Sequence, residues 1–343
     1  MRILVTGLGT FWGSTLAQQL EGEPDVELIV GVDTTEPVVP LERTEYVRAD
    51  SSFSILERIV RATRVDTILH THLLVDSTKD RGRALHEINV IGTMNLLAAA
   101  GASGSTVRKV VVKSSTLGYG SNFQDPYFFR ESTPRTRPAR TGVERSLLEV
   151  GSVVGDFAED NPHVSVTLLR FANVLGDHID TPITRMLSLP IVPEIFGFDP
   201  RVQFVHEDDV TGALAYATRR DVPGVYNVAG ESTIPWSEVC TMAGKRRLPM
   251  PPVLTAFAAE PLRLAGLVDL PPEVLSLLRY GRGVDTSAYR KAGYQYRYST
   301  AEAVDAFAQA QRLRTTVGAT EYHYERDVEN FFRHSRAIVR EGS

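Results

Sequence analysis

A single cysteine, Cys240, stands in 343 residues, so neither an internal disulfide nor a cysteine-rich zinc site can be built. No apolar run reaches the length that spans a bilayer, so no membrane span is expected. Lysine and arginine (37) do not outnumber aspartate and glutamate (42), the net charge is −5, and no long basic block is present. A nucleic-acid partner is therefore not expected. Internal repeats and low-complexity segments are also missing. Met1 leads straight into an apolar run, which predicts no cleavable leader and a cytoplasmic protein. What is left, 43% hydrophobic and 23% charged, suits a globular enzyme of one large domain or two unequal lobes.

The most informative stretch comes first. Ile3-Leu4-Val5 breaks into Thr6-Gly7-Leu8-Gly9-Thr10-Phe11-Trp12-Gly13. An amphipathic stretch to Glu21 follows, then a second apolar run, Glu27 to Val32, closed by Asp33. Strand, glycine turn, helix, strand and acid together describe a dinucleotide site. Glycines admit the pyrophosphate, the helix N-terminus supplies N–H groups, and the acid accepts from the adenosine ribose. Gly7, Gly9, Thr10, Phe11, Trp12 and Gly13 are the candidate cofactor contacts. Asp33 would repel a 2′-phosphate, and Thr34-Thr35-Glu36-Pro37 offers no arginine to receive one, so NAD is expected.

Apolar runs near 2–6, 27–32, 45–48, 66–70, 107–113 and 164–169 alternate with helical patterns near 12–21, 53–62, 80–101 and 140–159. Continuous runs such as Val110-Val111-Val112 predict strands buried on both faces. The fold class is therefore α/β: a Rossmann-type doubly wound parallel sheet with a smaller, discontinuous C-terminal substrate lobe. We expect residues 1–176 plus 201–244 in the NAD-binding domain, 177–200 plus 245–298 in the lobe, and 299–343 as a helical segment. Val328, Phe331, Phe332 and Ile338 could form one apolar face of that segment.

Ordered motifs then resemble the extended short-chain dehydrogenases/reductases, the NAD-dependent epimerase/dehydratase group. These are Ile68-Leu69-His70-Thr71-His72, Asn89-Val90-Ile91-Gly92-Thr93, Ser114-Ser115-Thr116-Leu117-Gly118-Tyr119-Gly120, Arg170-Phe171-Ala172-Asn173-Val174-Leu175-Gly176, Phe204-Val205-His206-Glu207-Asp208-Asp209-Val210 and Tyr226-Asn227-Val228-Ala229-Gly230. The resemblance implies cofactor contacts at Asp50, Ser51, His70, Thr71, Asn89 and Ser114. It also implies a substrate oxygen bound by Ser115. Asn173, Arg201 and Arg282 are the implied substrate contacts, with Arg279 also available, for a small-molecule substrate such as a UDP- or dTDP-sugar. Phe196, Phe198 and Tyr280 leave room for a more lipid-like alcohol. Asn89 could instead brace a helix–strand contact, and His206 and Asp209 could be structural. His70 and His72 alternate along a strand, but no acidic or sulfur partner stands at ligand spacing, so no metal is expected. A homodimer could form through 80–101 and 140–159, using Leu147, Leu148, Val153 and Val154.

One element of the family pattern is missing. Its chemistry needs a tyrosine and, four residues later, a lysine that lowers the phenol pKa. Anchored on Glu149, those positions hold Thr141 and Arg145. Arg145 keeps a positive charge that could bind ribose hydroxyls; Thr141 cannot ionise in the working range. Three readings follow. Another group is the acid/base (Tyr119 or Tyr127 first, then Lys113, His178 or His206), the protein binds NAD(H) as a sensor or scaffold, or the reaction needs no phenolate.

Overall fold

The structure is a computed structural model that describes residues 1–78, 83–252, 270–317 and Val328. Strands β1 (Arg2–Thr6), β2 (Leu28–Asp33), β3 (Thr44–Arg48), β4 (Thr67–His70), β5 (Lys109–Ser115) and β6 (Ser165–Phe171) alternate with helices. These are α1 (Phe11–Glu21), α2 (Phe53–Thr63), α3 (Arg83–His86), α4 (Gly92–Gly101) and α5 (Gly142–Asp160). Further on come β7 (Asn173–Leu175), α6 (Pro182–Ser188), β8 (Ile191–Ile195), β9 (Arg201–Val202) and β10 (Phe204–His206). α7 (Glu207–Arg219), β11 (Gly224–Val228), β12 (Ile234–Pro235), α8 (Trp236–Met242) and β13 (Arg246–Met250) follow.

Seven strands form one sheet in the order β11-β6-β5-β4-β1-β2-β3. Every pairing in it is parallel. This is a Rossmann-type α/β fold, and the continuous apolar runs explain it. Ile3, Val5, Leu69 and Val111 pack with Leu16 and Leu20 of α1 and Val210 and Leu214 of α7. Leu4, Val30, Ile68, Val110 and Val112 pack with α2, α4 and α5. Strand order reverses between β1 and β4, and the crevice at their carboxyl ends is where such sheets bind ligands.

The helical pattern expected near 80–101 is interrupted. Glu87–Ile91 makes a π-helical turn between α3 and α4, and this wider turn carries Asn89. Of the apolar residues expected on a dimer face, Leu147 and Val154 are buried in the chain's own core. Leu148, Ile91 and Met94 are the exposed ones there.

The lobe has its own core, and it takes more than 177–200 and 245–298. Val202, Phe204, Ile234, Trp236 and Cys240 pack in it, as do Ala303, Val304 and Phe307 of the helix Thr300–Val317. From 201–244, α7 and β11, with Val205 of β10 and the flanking Val222 and Ala229, belong with the sheet. We therefore draw the division through 201–244 rather than around it. Of the expected apolar tail face, Val328 is exposed, and Phe331, Phe332 and Ile338 lie outside the described residues.

Candidate active site at the carboxyl edge of the sheet

The glycine turn is closed by sterics. Gly7 has φ +81°, and a Cβ there would sit 2.8 Å from His72. A Cβ on Gly9 would fall 2.0 Å from the Thr35 hydroxyl, and one on Gly13 2.1 Å from the Gly7 carbonyl oxygen. Thr10 fits the turn at φ −86° and caps α1. Its hydroxyl donates to the Gly7 carbonyl (2.7 Å) and accepts from Gly13 N–H (3.1 Å). Expected from sequence as a cofactor contact, Thr10 instead closes the turn with its hydroxyl proton. Asp33 accepts from Gly9 N–H and from the Thr35 N–H and hydroxyl, each at 3.0 Å. Phe11 and Trp12 open α1, where backbone N–H groups lack intrahelical partners. These residues fit a dinucleotide: a cradle any Cβ would fill, a helix N-terminus, and an acid at the second strand's end.

Several residues expected at the cofactor turn out to hold the fold. His70 is 2% exposed, with Nδ1 2.7 Å from the Thr6 hydroxyl and Nε2 2.9 Å from that of Thr93. Burial, with His72 adding to it, pulls its pKa down to about 3. With both nitrogens occupied, His70 is a neutral brace between β1 and α4 rather than a cofactor contact. Thr71 is buried and donates to the Thr6 carbonyl (2.9 Å). Asn89 exchanges two 2.8 Å bonds with the Leu74 backbone and donates to Ser146. It braces the loop after β4, the bland alternative weighed from sequence. Asp50 is exposed and accepts from Ser52 N–H, and the Ser51 carbonyl accepts from Asn95. Ser114 and Ser115 end β5 and line a small cavity with Tyr119 and Arg170. Ser115 donates to the Phe171 carbonyl at 3.3 Å.

The acid/base candidates do not assemble. Thr141 lies outside α5 as its N-cap, accepting from Glu144 N–H at 3.2 Å. Arg145 is exposed, and its side chain makes no hydrogen bond or ion pair among the described residues. Tyr119 is 8% exposed; it donates to Asn227 (2.9 Å), accepts from Arg170 (2.8 Å) and stacks on Phe129. Burial pushes its pKa above the usual phenol value despite Arg170 nearby. It is a structural tyrosine, not a general base. Tyr127 is 64% exposed and packs edge-on against Phe128. His178 bonds Glu207 (2.7 Å), and His206 caps α7 and stacks on Tyr298. Asp209 accepts from Tyr294 and from the backbone of Arg297 and Tyr298, tying down the chain before the last helix.

Other side chains do converge. Arg282 is 7% exposed, donates from one terminal nitrogen to the Gly120 carbonyl (3.3 Å), and leaves its other terminal nitrogen without a partner. Burial pulls its pKa to about 10, while Glu144, Asp125 and Glu273 act in the opposite sense. Glu144 is buried on the first turn of α5 and paired with Arg135. Glu273, on the helix Pro272–Tyr280, is 6% exposed. One of its oxygens accepts from Ser77 in the loop after β4 (3.2 Å), and the other has no partner. Glu144, Glu273 and Arg135 were not singled out from sequence. For Glu144 a signal existed: Thr141-Gly142-Val143-Glu144 has the spacing of a helix-capping box. For Glu273 there was none.

The remaining substrate candidates scatter. Arg201 donates to the Thr233 hydroxyl and carbonyl within the lobe. Arg279 lies over the rings of Phe198 and Tyr280, 5.1 and 5.3 Å from their centroids. Phe196 is 68% exposed. Asn173 sits on β7 opposite Phe204. Among the described residues no group of three histidine, cysteine or acidic side chains is placed to hold a metal, and no helix is long and apolar enough to cross a membrane.

Comparison with known proteins agrees with this geometry. An uncharacterized protein of Mycobacterium tuberculosis is 35% identical over 319 residues, 91% of this chain and 84% of that protein. MoeE5, solved with UDP-glucuronic acid and NAD, superposes with a TM-score of 0.70 at 22% identity, covering 92% of this chain and 100% of its own. UDP-glucose 4-epimerase of Thermotoga maritima, solved with UDP-glucose, gives a TM-score of 0.69 at 18% identity, covering 93% and 100%. Residues 3–229 match the profile of the NAD dependent epimerase/dehydratase family, and with the glycine turn, Asp33 and the 3-2-1-4-5-6 sheet this establishes that the chain belongs to it.

Proposed function

We propose that this protein is an NAD-dependent oxidoreductase of the epimerase/dehydratase type, acting on a nucleotide sugar, with a proton-transfer group that is not the family's helix tyrosine. The observation that carries this reading is the pair Arg282 and Glu273. Both are buried, Glu273 acts electrostatically on Arg282, and each keeps an unpartnered polar atom. An uncompensated buried polar atom is costly, so two of them on side chains of opposite charge call for a ligand. A hydroxyl-rich ligand between them satisfies both.

NAD bound at the glycine turn supplies a hydride acceptor. The protein's own part is to bind the substrate alcohol and take its hydroxyl proton as the carbon–oxygen double bond forms. In this reading Glu273 takes that proton and Arg282 holds the neighbouring oxygen. The UDP-sugar complexes of the structural relatives support a nucleotide-sugar substrate for this chain. A homodimer through α4 and α5 belongs to the same reading, supported by the exposed Ile91, Met94 and Leu148.

A second reading, an NAD(H)-responsive binding protein without turnover, is favoured by Thr141 and Arg145, which place no ionisable pair on α5. Incubation with NAD and a panel of UDP- and dTDP-sugars separates the two, read by absorbance at the NADH band and by NMR of the sugar. The enzyme reading expects turnover in the wild type and a loss of about 100-fold or more in kcat for Glu273→Gln. Tight NAD binding with no turnover of any sugar leaves the binding-protein reading.

A further inference from the structure

Lys113, one of the acid/base candidates, has no part in the proposed proton transfer. It lies on β5, 4% exposed, on the face it shares with Val111, against α1 and α7. Its Nζ stands 5.1 Å from the ring centroid of Trp12, in the first turn of α1. Among the described residues it has no hydrogen-bond or ion-pair partner. Burial alone lowers its pKa to about 8.

The ionisable groups on the surrounding elements are engaged elsewhere. On β6, Arg170 is turned to Tyr119. At the start of α7, Glu207 holds His178, Asp208 stands beside the capping His206, and Asp209 holds Tyr294. On β4, His70 is bonded to Thr6 and Thr93. An amine taken out of water without an anion is costly, and a ring face offsets only part of that cost.

We propose that the counter-ion of Lys113 is the pyrophosphate of the bound dinucleotide, so that Lys113 gives the cofactor site the buried positive charge that the exposed Arg145 does not. The glycine turn and the α1 N-terminus draw an anion to the place that Trp12 links to Lys113. The inference rests on the dinucleotide site, not on turnover.

The sign of the pH dependence follows. Binding an anion favours the charged amine and raises its pKa above about 8. Affinity is full below that pH and falls as pH rises, by about tenfold between pH 7 and 9 when the bound pKa exceeds 9.

The test is calorimetric titration of the full chain with NAD, ADP-ribose and AMP at pH 7, 8 and 9, with tryptophan fluorescence as a second signal. NAD and ADP-ribose should weaken about tenfold over that range, whereas AMP, which lacks the pyrophosphate, should not. Lys113→Met should bind ADP-ribose several-fold more weakly at pH 7 and show no pH slope. Lys113→Arg should keep its pH 7 affinity up to pH 9. A flat wild-type profile overturns the proposal, as does Lys113→Met binding like wild type, or AMP sharing the slope. If Lys113→Met does not fold, the wild-type titration decides alone. Failure of both NAD and ADP-ribose to bind at any pH overturns the dinucleotide site itself and this inference with it.

Discussion

The backbone N–H of Glu144 donates to the hydroxyl of Thr141 at 3.2 Å, which makes Thr141 the cap of α5 rather than its first catalytic position. Gly142 follows it as the first helical residue.

Thr141→Ala should therefore destabilise the fold by about 1 kcal/mol, and Thr141→Ser should not. Urea denaturation checks this. Thr141→Tyr combined with Arg145→Lys should lose the same cap, so a gain in activity must be read against a measured loss of stability. Thr141→Ala with unchanged stability would show that the cap contributes nothing.

Tyr119 provides a contrast between bracing and catalysis. Tyr119→Phe leaves the Asn227 oxygen and the Arg170 N–H without the phenol, in a buried place. We expect a loss of about 1–3 kcal/mol in stability and NAD affinity within about twofold of wild type. Equilibrium unfolding and NAD titration measure the two separately. A fall in kcat without any fall in stability would return Tyr119 to the catalytic list.

His70 should make stability depend on pH. Its folded pKa, about 3, lies below the ordinary 6.5, so the folded state prefers the neutral ring. The unfolded chain takes up a proton first as pH falls. Stability is full above pH 6.5 and declines by up to about 1.4 kcal/mol per pH unit below it, towards the folded value. His70→Gln should remove that share of the slope between pH 6.5 and 4.5. An identical slope in the variant would place the sensitivity in other groups.

The glycine turn gives a steric prediction. Gly13→Ala puts a methyl 2.1 Å from the Gly7 carbonyl oxygen, both of them backbone-held. The turn must open, so NAD binding should be lost and the melting temperature lowered. Calorimetry with NAD and a thermal melt check both. Wild-type affinity in this variant would mean the turn is not where the cofactor binds.

Much of the scaffold was legible in the sequence because it is encoded locally. Glycines at 7, 9 and 13 admit no side chain, continuous runs such as Val110 to Val112 bury both faces, and Asp33 ends the second strand. Alternating strands and helices then leave few topologies, since parallel crossovers keep one hand. What each side chain does was decided only in three dimensions. His70 and Tyr119 look like site residues in their motifs, yet packing surrounds their polar atoms with protein partners. Ser77 and Glu273 meet across 196 residues, and Arg282 reaches Gly120 across 162. Lys113 is one of five lysines in the sequence until the sheet buries it against Trp12 with no anion beside it. Turn geometry and strand periodicity depend on neighbours in the chain, whereas burial, partners and charge depend on neighbours in space. The sequence by itself therefore determined the scaffold and its cofactor turn, and the tertiary structure decided which groups remain available for chemistry.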